Sequence, residues 1–222
     1  GMVEQIDSRY PARTNYQDTA EAERYDARRL RSPLDRMFHN TELKAIRRAV
    51  GSMPAEWSVL ELPSGTGRTL VPLAQHFRQV HGVDISDQML AVAGRRFADA
   101  KNVQLSRANG EALPFKDNEF QAAFSIRLFG HTPPEVRRNI LKEMARVTSE
   151  KLAIMFYVLD PLINLRKKVQ YVIRPPKGPW YPIESMAATE QLIDSLGFTI
   201  ASVHSLLPGV MQSRMVIAQK KK

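Results

Sequence analysis

Short apolar runs alternate with segments of helical length between residues 57 and 160, and this alternation restricts the fold more than any other feature of the chain. The runs are WSVLEL, QVHGVDI, NVQLSR, FQAAFSI and KLAIMFYVL, and helices are predicted over roughly 67–78, 86–98 and 134–147. Strands and helices in alternation are typical of a parallel sheet with helices on both faces, because parallel neighbours need a crossover connection. The sequence therefore predicts an α/β fold.

The two ends of the chain are organised differently. Residues 1–50 are predicted to form an N-terminal helical segment on the substrate side of the site, with helices over TAEAERYDARRLR and from about Leu34 to Val50. Residues 51–222 are predicted to form one domain, with a proline-rich insertion at 160–183. A helix at about 184–196 and the strands FTIASVHSLL and SRMVIAQ complete that domain.

Composition restricts the partners and the compartment. The 222 residues carry a net charge of +9, which favours nucleic acid, an anionic membrane surface or an acidic small molecule as partner. The chain has no cysteine and no apolar run long enough for a transmembrane segment, so neither disulfides nor a membrane span are expected. We expect a cytoplasmic location. The five histidines lack the spacing of metal ligands, so no metal is predicted.

The turn ELPSGTG follows the first apolar run and carries the first candidate site residues: Glu61, Pro63, Ser64, Gly65 and Gly67. A glycine-bearing turn after a first strand lets a ligand approach backbone N–H groups. Dinucleotide folds bind a pyrophosphate there through G-x-G-x-x-G, but the third glycine is absent. A carboxylate also fits a cation better than a phosphate. The turn therefore favours S-adenosylmethionine (SAM), which has an ammonium and a sulfonium, over a dinucleotide.

The ends of the next two strands carry groups that suit the rest of the same ligand. Asp84 ends the second run, where a carboxylate can accept hydrogen bonds from two ribose hydroxyls, and Ile85 offers an apolar face to adenine. Asn109 and Gly110 follow the third run, where a side-chain carbonyl and a backbone N–H can pair with the edge of adenine. Three strand ends with fitting groups in order are more specific than any one motif.

These residues give the chain a resemblance to class I SAM-dependent methyltransferases of the ubiquinone/menaquinone-biosynthesis kind. The matching pieces are VLELPSGTGRTL, VHGVDISDQMLAVA, RANGEALPF, DNEFQAAFSIRLFGH and ILKEMARV. The resemblance implies a Rossmann-like, seven-stranded, mostly parallel sheet whose last strand is antiparallel. It also implies that Glu61 and the turn hold the methionine end, Asp84 the ribose, and Asn109 with Gly110 the adenine.

The chain departs from the family pattern at four positions. Glu61 stands where an Asp is usual, and Pro63 where a Gly is usual. Asn109 replaces a usual Asp, which loses the charge but keeps an acceptor, and Gln121 also replaces a usual Asp. None of these changes obviously abolishes SAM binding.

Arg127 and His131 follow the fourth strand, where the methyl group is expected to point. Both are candidate catalytic residues, His131 as a general base because histidine titrates near neutral pH, and Arg127 is also a candidate cofactor contact. The alternative is that Arg127 pairs with a nearby carboxylate and that His131 is a helix-entry or core residue. Tyr16, Tyr25 and Arg28 are further candidates for contacts with cofactor or substrate.

The leading hypothesis is a methyltransferase acting on O or C of a small, apolar or anionic acceptor. One alternative is an RNA methyltransferase that uses the basic and aromatic stretch RKKVQYVIRPPKGPW, although no RNA-binding module is attached. Another is a SAM-binding protein without catalysis, for which Gln121 is a hint of sequence drift. The same basic stretch could contact an anionic membrane. The sequence leaves the oligomeric state open.

Overall fold

The structure is a computed structural model that describes residues 31–129, 132–158, 185–208 and 211–222, together with the isolated positions 24 and 165. Its helices are α1 (Pro33–Gly51), α2 (Leu70–His76), α3 (Asp87–Arg96), α4 (Pro134–Val147) and α5 (Met186–Ser195). Its strands are β1 (Ser58–Glu61), β2 (Gln79–Asp84), β3 (Val103–Arg107), β4 (Phe120–Ser125), β5 (Thr148–Tyr157), β6 (Phe198–Ser205) and β7 (Ser213–Lys220).

The seven strands form one sheet in the order β3-β2-β1-β4-β5-β7-β6. The β1–β2, β1–β4, β2–β3 and β4–β5 pairs are parallel, while β7 runs antiparallel to both β5 and β6. This order confirms the predicted Rossmann-like sheet with an antiparallel last strand. The chain crosses from β3 to β4 over the first two strands, so the carboxyl ends of β1 and β4 are neighbours at the point where the strand order reverses.

Each face of the sheet has its own apolar core, because successive side chains of a strand point to opposite faces. Leu60 belongs to the core that α4 and α5 cover, with Leu141 and Ile193. Its neighbour Val59 belongs to the core that α1 and α2 cover, with Ile46. The prediction of helices on both faces is therefore confirmed.

Helix α1 begins where the sequence has Ser32-Pro33. The Ser32 hydroxyl accepts from the backbone N–H of Asp35, and the Asp35 carboxylate accepts from the backbone N–H of Ser32, which closes a capping box. Pro33 occupies the first turn, where its missing N–H costs nothing. The apolar residues Leu34 and Met37 near this end are exposed.

Two element boundaries differ from their predicted positions for identifiable reasons. Helix α2 starts at Leu70 rather than near residue 67, because Gly67 has a φ of +80°, outside the helical region. Strand β5 starts at Thr148 rather than Lys151, because α4 leads into it directly. Apart from positions 24, 31 and 165, the N-terminal helix over TAEAERYDARRLR and the insertion 160–183 lie outside the described residues, and the division of the chain at residue 50 stays a prediction.

No helix in the described part of the chain is both long and apolar enough to cross a lipid bilayer.

Candidate functional site

The turn after β1 folds back onto the end of β2. Pro63 follows a cis peptide bond and is partly exposed, whereas Ser64 is buried and its N–H donates to the Val83 carbonyl at 2.8 Å. Gly65 and Gly67 both have positive φ, +53° and +80°, which a residue with a side chain rarely adopts. A Cβ on Gly67 would also lie 2.7 Å from the Phe97 ring.

The N–H groups of this turn are partly used within the protein. Gly65 donates to the Asp84 carboxylate at 2.8 Å, and Gly67 donates to the Ser64 carbonyl at 2.9 Å. These two N–H groups are therefore used to hold the turn itself, and the approach of a ligand to the turn stays a prediction. Glycine allows the backbone to close on itself and on β2, so the turn is held in shape before any ligand arrives.

Glu61 is the last residue of β1 and is fully buried. Among the described residues, neither of its carboxylate oxygens accepts a hydrogen bond of ordinary geometry. Burial raises the pKa of Glu61 from 4.5 to about 8; the Thr69 hydroxyl opposes this rise, and the negative charges of Glu42 and Asp84 add to it. A buried acid with two unpaired oxygens is costly in the free protein and is suited to a cation.

Asp84 connects the turn to the end of β2. One carboxylate oxygen accepts from Gly65, and the other accepts from the Ser86 N–H at 3.0 Å. Burial raises the pKa of Asp84, while the N–H groups of Ser86, Gly65 and Ile85 oppose that rise. The two oxygens together offer about four acceptor sites, so capacity for a further donor remains. Ile85 lies beside it, half-buried, and its carbonyl accepts from Arg107 at 3.1 Å.

Asn109 and Gly110 lie next to this pair after β3. The Ala108 N–H donates to the Asp84 carbonyl at 3.1 Å, which places the two loops side by side. The Asn109 side-chain carbonyl accepts from the Glu111 N–H at 3.1 Å, and a Cβ on Gly110 would lie 3.2 Å from Leu62. The backbone here is therefore packed closely against the turn after β1.

Arg146 of α4 holds the remainder of this loop in place. Its guanidinium donates to the carbonyls of Leu113 and Phe115 at 3.0 and 2.8 Å and to the carboxylates of Asp117 and Glu143 at 2.8 Å. Most of these partners lie about 30 residues earlier in the chain, so one side chain fixes the loop that flanks Asn109.

Arg127 lies just beyond the end of β4 and pairs with Glu42 of α1. This confirms the alternative in which Arg127 pairs with a carboxylate, and it leaves its catalytic and cofactor roles as predictions. The sequence reasoning missed Glu42. The helical spacing could have indicated it: Glu42 lies four residues before Ile46 and seven before Ala49, so a charged residue falls on the buried face of α1. His131, Tyr16, Tyr25 and Arg28 lie outside the described residues.

The unusual Gln121 lies far from these groups, at the start of β4. Its side-chain carbonyl accepts from the Ser58 N–H at 2.8 Å, at the start of β1. It therefore ties two strands together at the opposite end of the sheet from Glu61. This contact gives Gln121 a structural role.

The strand ends of β1, β2 and β3 thus bring Glu61, the turn, Asp84 and Asn109 together in one corner. The sequence profile of the methyltransferase domain family matches residues 59–151, which span β1 to β5 and include all of these groups. The chain therefore resembles the methyltransferase domain family over residues 59–151. Its strand order, with one antiparallel strand between β5 and β6, is that of the class I SAM-dependent methyltransferase fold.

Curated relatives resemble this chain over part of their length. An uncharacterized methyltransferase of Bacillus subtilis is 32% identical over 50% of this chain and 47% of its own length. The demethylmenaquinone methyltransferase of Corynebacterium kroppenstedtii is 39% identical over 47% of this chain and 45% of its own. The malonyl-[acyl-carrier protein] O-methyltransferase of Halorhodospira halophila is 28% identical over 79% of this chain and 54% of its own length. The chain spans about half the length of these relatives.

Solved structures share the fold along most of the chain. The magnesium protoporphyrin IX methyltransferase of Synechocystis PCC 6803, with bound S-adenosylhomocysteine (SAH), superposes with a TM-score of 0.78 at 18% identity and covers 95% of this chain and 98% of its own. The uncharacterized B. subtilis protein superposes with a TM-score of 0.63 at 15% identity, over 81% of this chain and 99% of its own. At sequence identities this low, the similarity shows a shared fold only.

Proposed function

We propose that this protein is a SAM-dependent methyltransferase that acts on O or C of a small acceptor. The observation that carries the proposal is Glu61, a fully buried carboxylate at the end of β1 and beside Asp84, whose oxygens accept no hydrogen bond of ordinary geometry from the described residues. A protein retains such a group at a cost, and a ligand ammonium in this corner would offset that cost.

The residues present fit SAM in the order expected. Glu61 would hold the ammonium, the turn with Pro63, Ser64, Gly65 and Gly67 would enclose the methionine chain, and Asp84 would accept from both ribose hydroxyls. Ile85 would lie against adenine, and Asn109 with Gly110 would pair with its edge. When bound, SAM supplies a methyl group on a sulfonium, which is already activated for transfer.

The contribution of this chain to the reaction is then chiefly alignment. Holding the acceptor atom in line with the methyl group can supply up to about 7–11 kcal/mol of the barrier. For an O or C nucleophile a general base increases the rate by about 10²–10⁴-fold, and we propose His131 as that base. Arg127 lies at the end of β4, next to the end of β1, and is proposed to face the same reacting region.

The finer assignment, to the ubiquinone/menaquinone-biosynthesis kind, is part of the proposal. It is supported by three demethylmenaquinone methyltransferases among the relatives, at 36–39% identity over less than half of their length. The O-methyltransferase relative covers more of this chain at lower identity. Methyl transfer from labelled SAM to a demethylmenaquinone analogue and to a malonyl thioester distinguishes these two acceptor types.

The first test is calorimetric titration of the wild-type protein with SAM and SAH. We expect saturable binding of both, weakened about tenfold or more in Asp84→Asn, because Asn lacks the second acceptor oxygen. Asp99→Asn makes the same chemical change at an exposed position and should bind like wild type. A wild-type protein that binds neither compound would leave only the fold and end the proposal.

A further inference from the structure

The pairing of Arg127 with Glu42 joins an N-terminal helix to the end of a central strand across 85 residues of sequence. The Glu42 side chain is 2% exposed and that of Arg127 is 19% exposed. Glu42 lies on the buried face of α1, and its charge contributes to the raised pKa of Glu61, so the pair is close to the corner described above. A buried ion pair costs desolvation energy and is weak evidence for a purely stabilising role.

The backbone and the guanidinium of Arg127 both point to a use beyond stability. Arg127 has a φ of +61°, in the left-handed region that residues other than Gly and Asn rarely adopt. It bonds Glu42 through Nε, and in the described part of the chain its two terminal nitrogens donate no hydrogen bond. Arginine preferentially binds a carboxylate with two parallel N–H groups, and here one edge of the fork is unused.

The strand order fixes where this unused edge lies. The proposed ribose and adenine contacts lie at or just after the ends of β2 and β3, on one side of β1, and Arg127 lies just after the end of β4, on the other side. Neighbouring strands are about 4.8 Å apart. If the cofactor lies as proposed, Arg127 is therefore beyond its methionine end, on the side where the methyl group would meet the acceptor. The Arg127 guanidinium is partly exposed, so its terminal nitrogens are not sealed inside the protein.

We infer that the Glu42–Arg127 pair is a carboxylate-binding group at the methyl-transfer end of the site. Glu42 is the positioning residue: it fixes the guanidinium through Nε and aims the two terminal nitrogens at a carboxylate. That carboxylate belongs either to the acceptor, which would make the acceptor an organic acid, or to the methionine end of the cofactor. The inference rests on the proposed function for the position of the methyl group and specifies the ligand chemistry of the same site.

Two pairs of ligands distinguish these sources. SAH is compared with S-adenosyl-3-thiopropylamine, which lacks only its carboxylate, and benzoate is compared with neutral benzamide on SAH-loaded protein. The variants are Arg127→Gln, Arg127→Lys and Glu42→Gln. The control is Arg138→Gln, which removes the same charge from an exposed position on α4. Thermal unfolding checks that each variant is folded.

If the cofactor supplies the carboxylate, Arg127→Gln lowers SAH affinity about tenfold or more and leaves the thiopropylamine unchanged. If the acceptor supplies it, SAH affinity stays at the wild-type value and benzoate affinity falls about tenfold, with benzamide unaffected. In either case Glu42→Gln gives a smaller loss for the same ligand, and Arg127→Lys gives an intermediate one, because lysine keeps the charge without the fork.

The inference is overturned if Arg127→Gln binds all four ligands as Arg138→Gln does. It is also overturned if acid and neutral ligands lose affinity equally, since a merely structural role affects both. If Arg127→Gln does not fold, the comparison is made with Arg127→Lys. A wild-type protein that binds no SAH refutes the proposed function, whereas the benzoate and benzamide titrations on the unloaded protein still test the pair.

Discussion

Replacing Glu61 by Gln should stabilise the free protein while abolishing tight cofactor binding. Burial raises the pKa of Glu61 from 4.5 to about 8, so the fold disfavours the ionised form. For an acid with a raised pKa, the stability of the wild-type protein is greatest below the unfolded value and is lost as pH rises through the folded one. Gln has nearly the same shape as Glu and does not titrate. The stability of the Glu61→Gln variant therefore does not fall in this way as the pH rises.

The size of the effect follows from those two values. One pH unit corresponds to about 1.4 kcal/mol, so the loss amounts to roughly 5 kcal/mol once Glu61 is fully ionised, above about pH 8. At about pH 7 the carboxyl is still mostly protonated, and the penalty is about 3 kcal/mol. At about pH 5 it is about 1 kcal/mol. The free energy of unfolding of Glu61→Gln should therefore exceed that of the wild-type protein by these amounts.

Urea unfolding of both proteins across this pH range, without ligand, measures the difference directly. Glu56→Gln, at an exposed position, controls for the change in net charge. A stability gap that is absent, or that does not widen from acid to neutral pH, would show that the Glu61 carboxyl is not held neutral by burial.

The same reasoning predicts a proton release on binding. Since Glu61 is mostly protonated in the free protein at about pH 7, a ligand ammonium that binds the ionised form displaces close to one proton. Calorimetric titration of SAH in two buffers with different ionisation enthalpies measures this number. Glu61→Gln should release no proton at this site and bind SAH weakly, and equal proton release by both proteins would contradict the assignment of Glu61 to the ammonium.

Three further changes test the frame of the site. Gly82→Ala would place a Cβ 2.8 Å from two leucine side chains, so it should destabilise the fold by about 1–3 kcal/mol in urea unfolding. Gly67→Ala would put a Cβ 2.7 Å from the Phe97 ring at a φ of +80°, so it should weaken SAH binding measured by calorimetry, because the turn must shift. Arg146→Met should lower the free energy of unfolding by about 2 kcal/mol, because two loop carbonyls and two carboxylates lose their donor; an unchanged urea midpoint would contradict this.

The sequence by itself determines the element pattern and the three strand-end groups, because they depend on local periodicity and on a general property of parallel sheets. Each strand of the alternating region appears within about three residues of its predicted run. Glu61, Asp84 and Asn109 can be grouped from their positions in the sequence, since consecutive parallel strands end at the same edge. The seven-stranded topology follows from the resemblance carried by those same residues.

The tertiary structure alone decides how these groups are held and charged. In the folded chain Asp84 closes the glycine turn, Gln121 ties β4 to β1, and burial leaves Glu61 protonated near neutral pH. Folding also brings Glu42 to Arg127 across 85 residues. Sequence periodicity marks which face of a helix is buried, but it does not say which strand that face meets. Such contacts, and the pKa values that follow from them, are set only when the helices pack on the sheet.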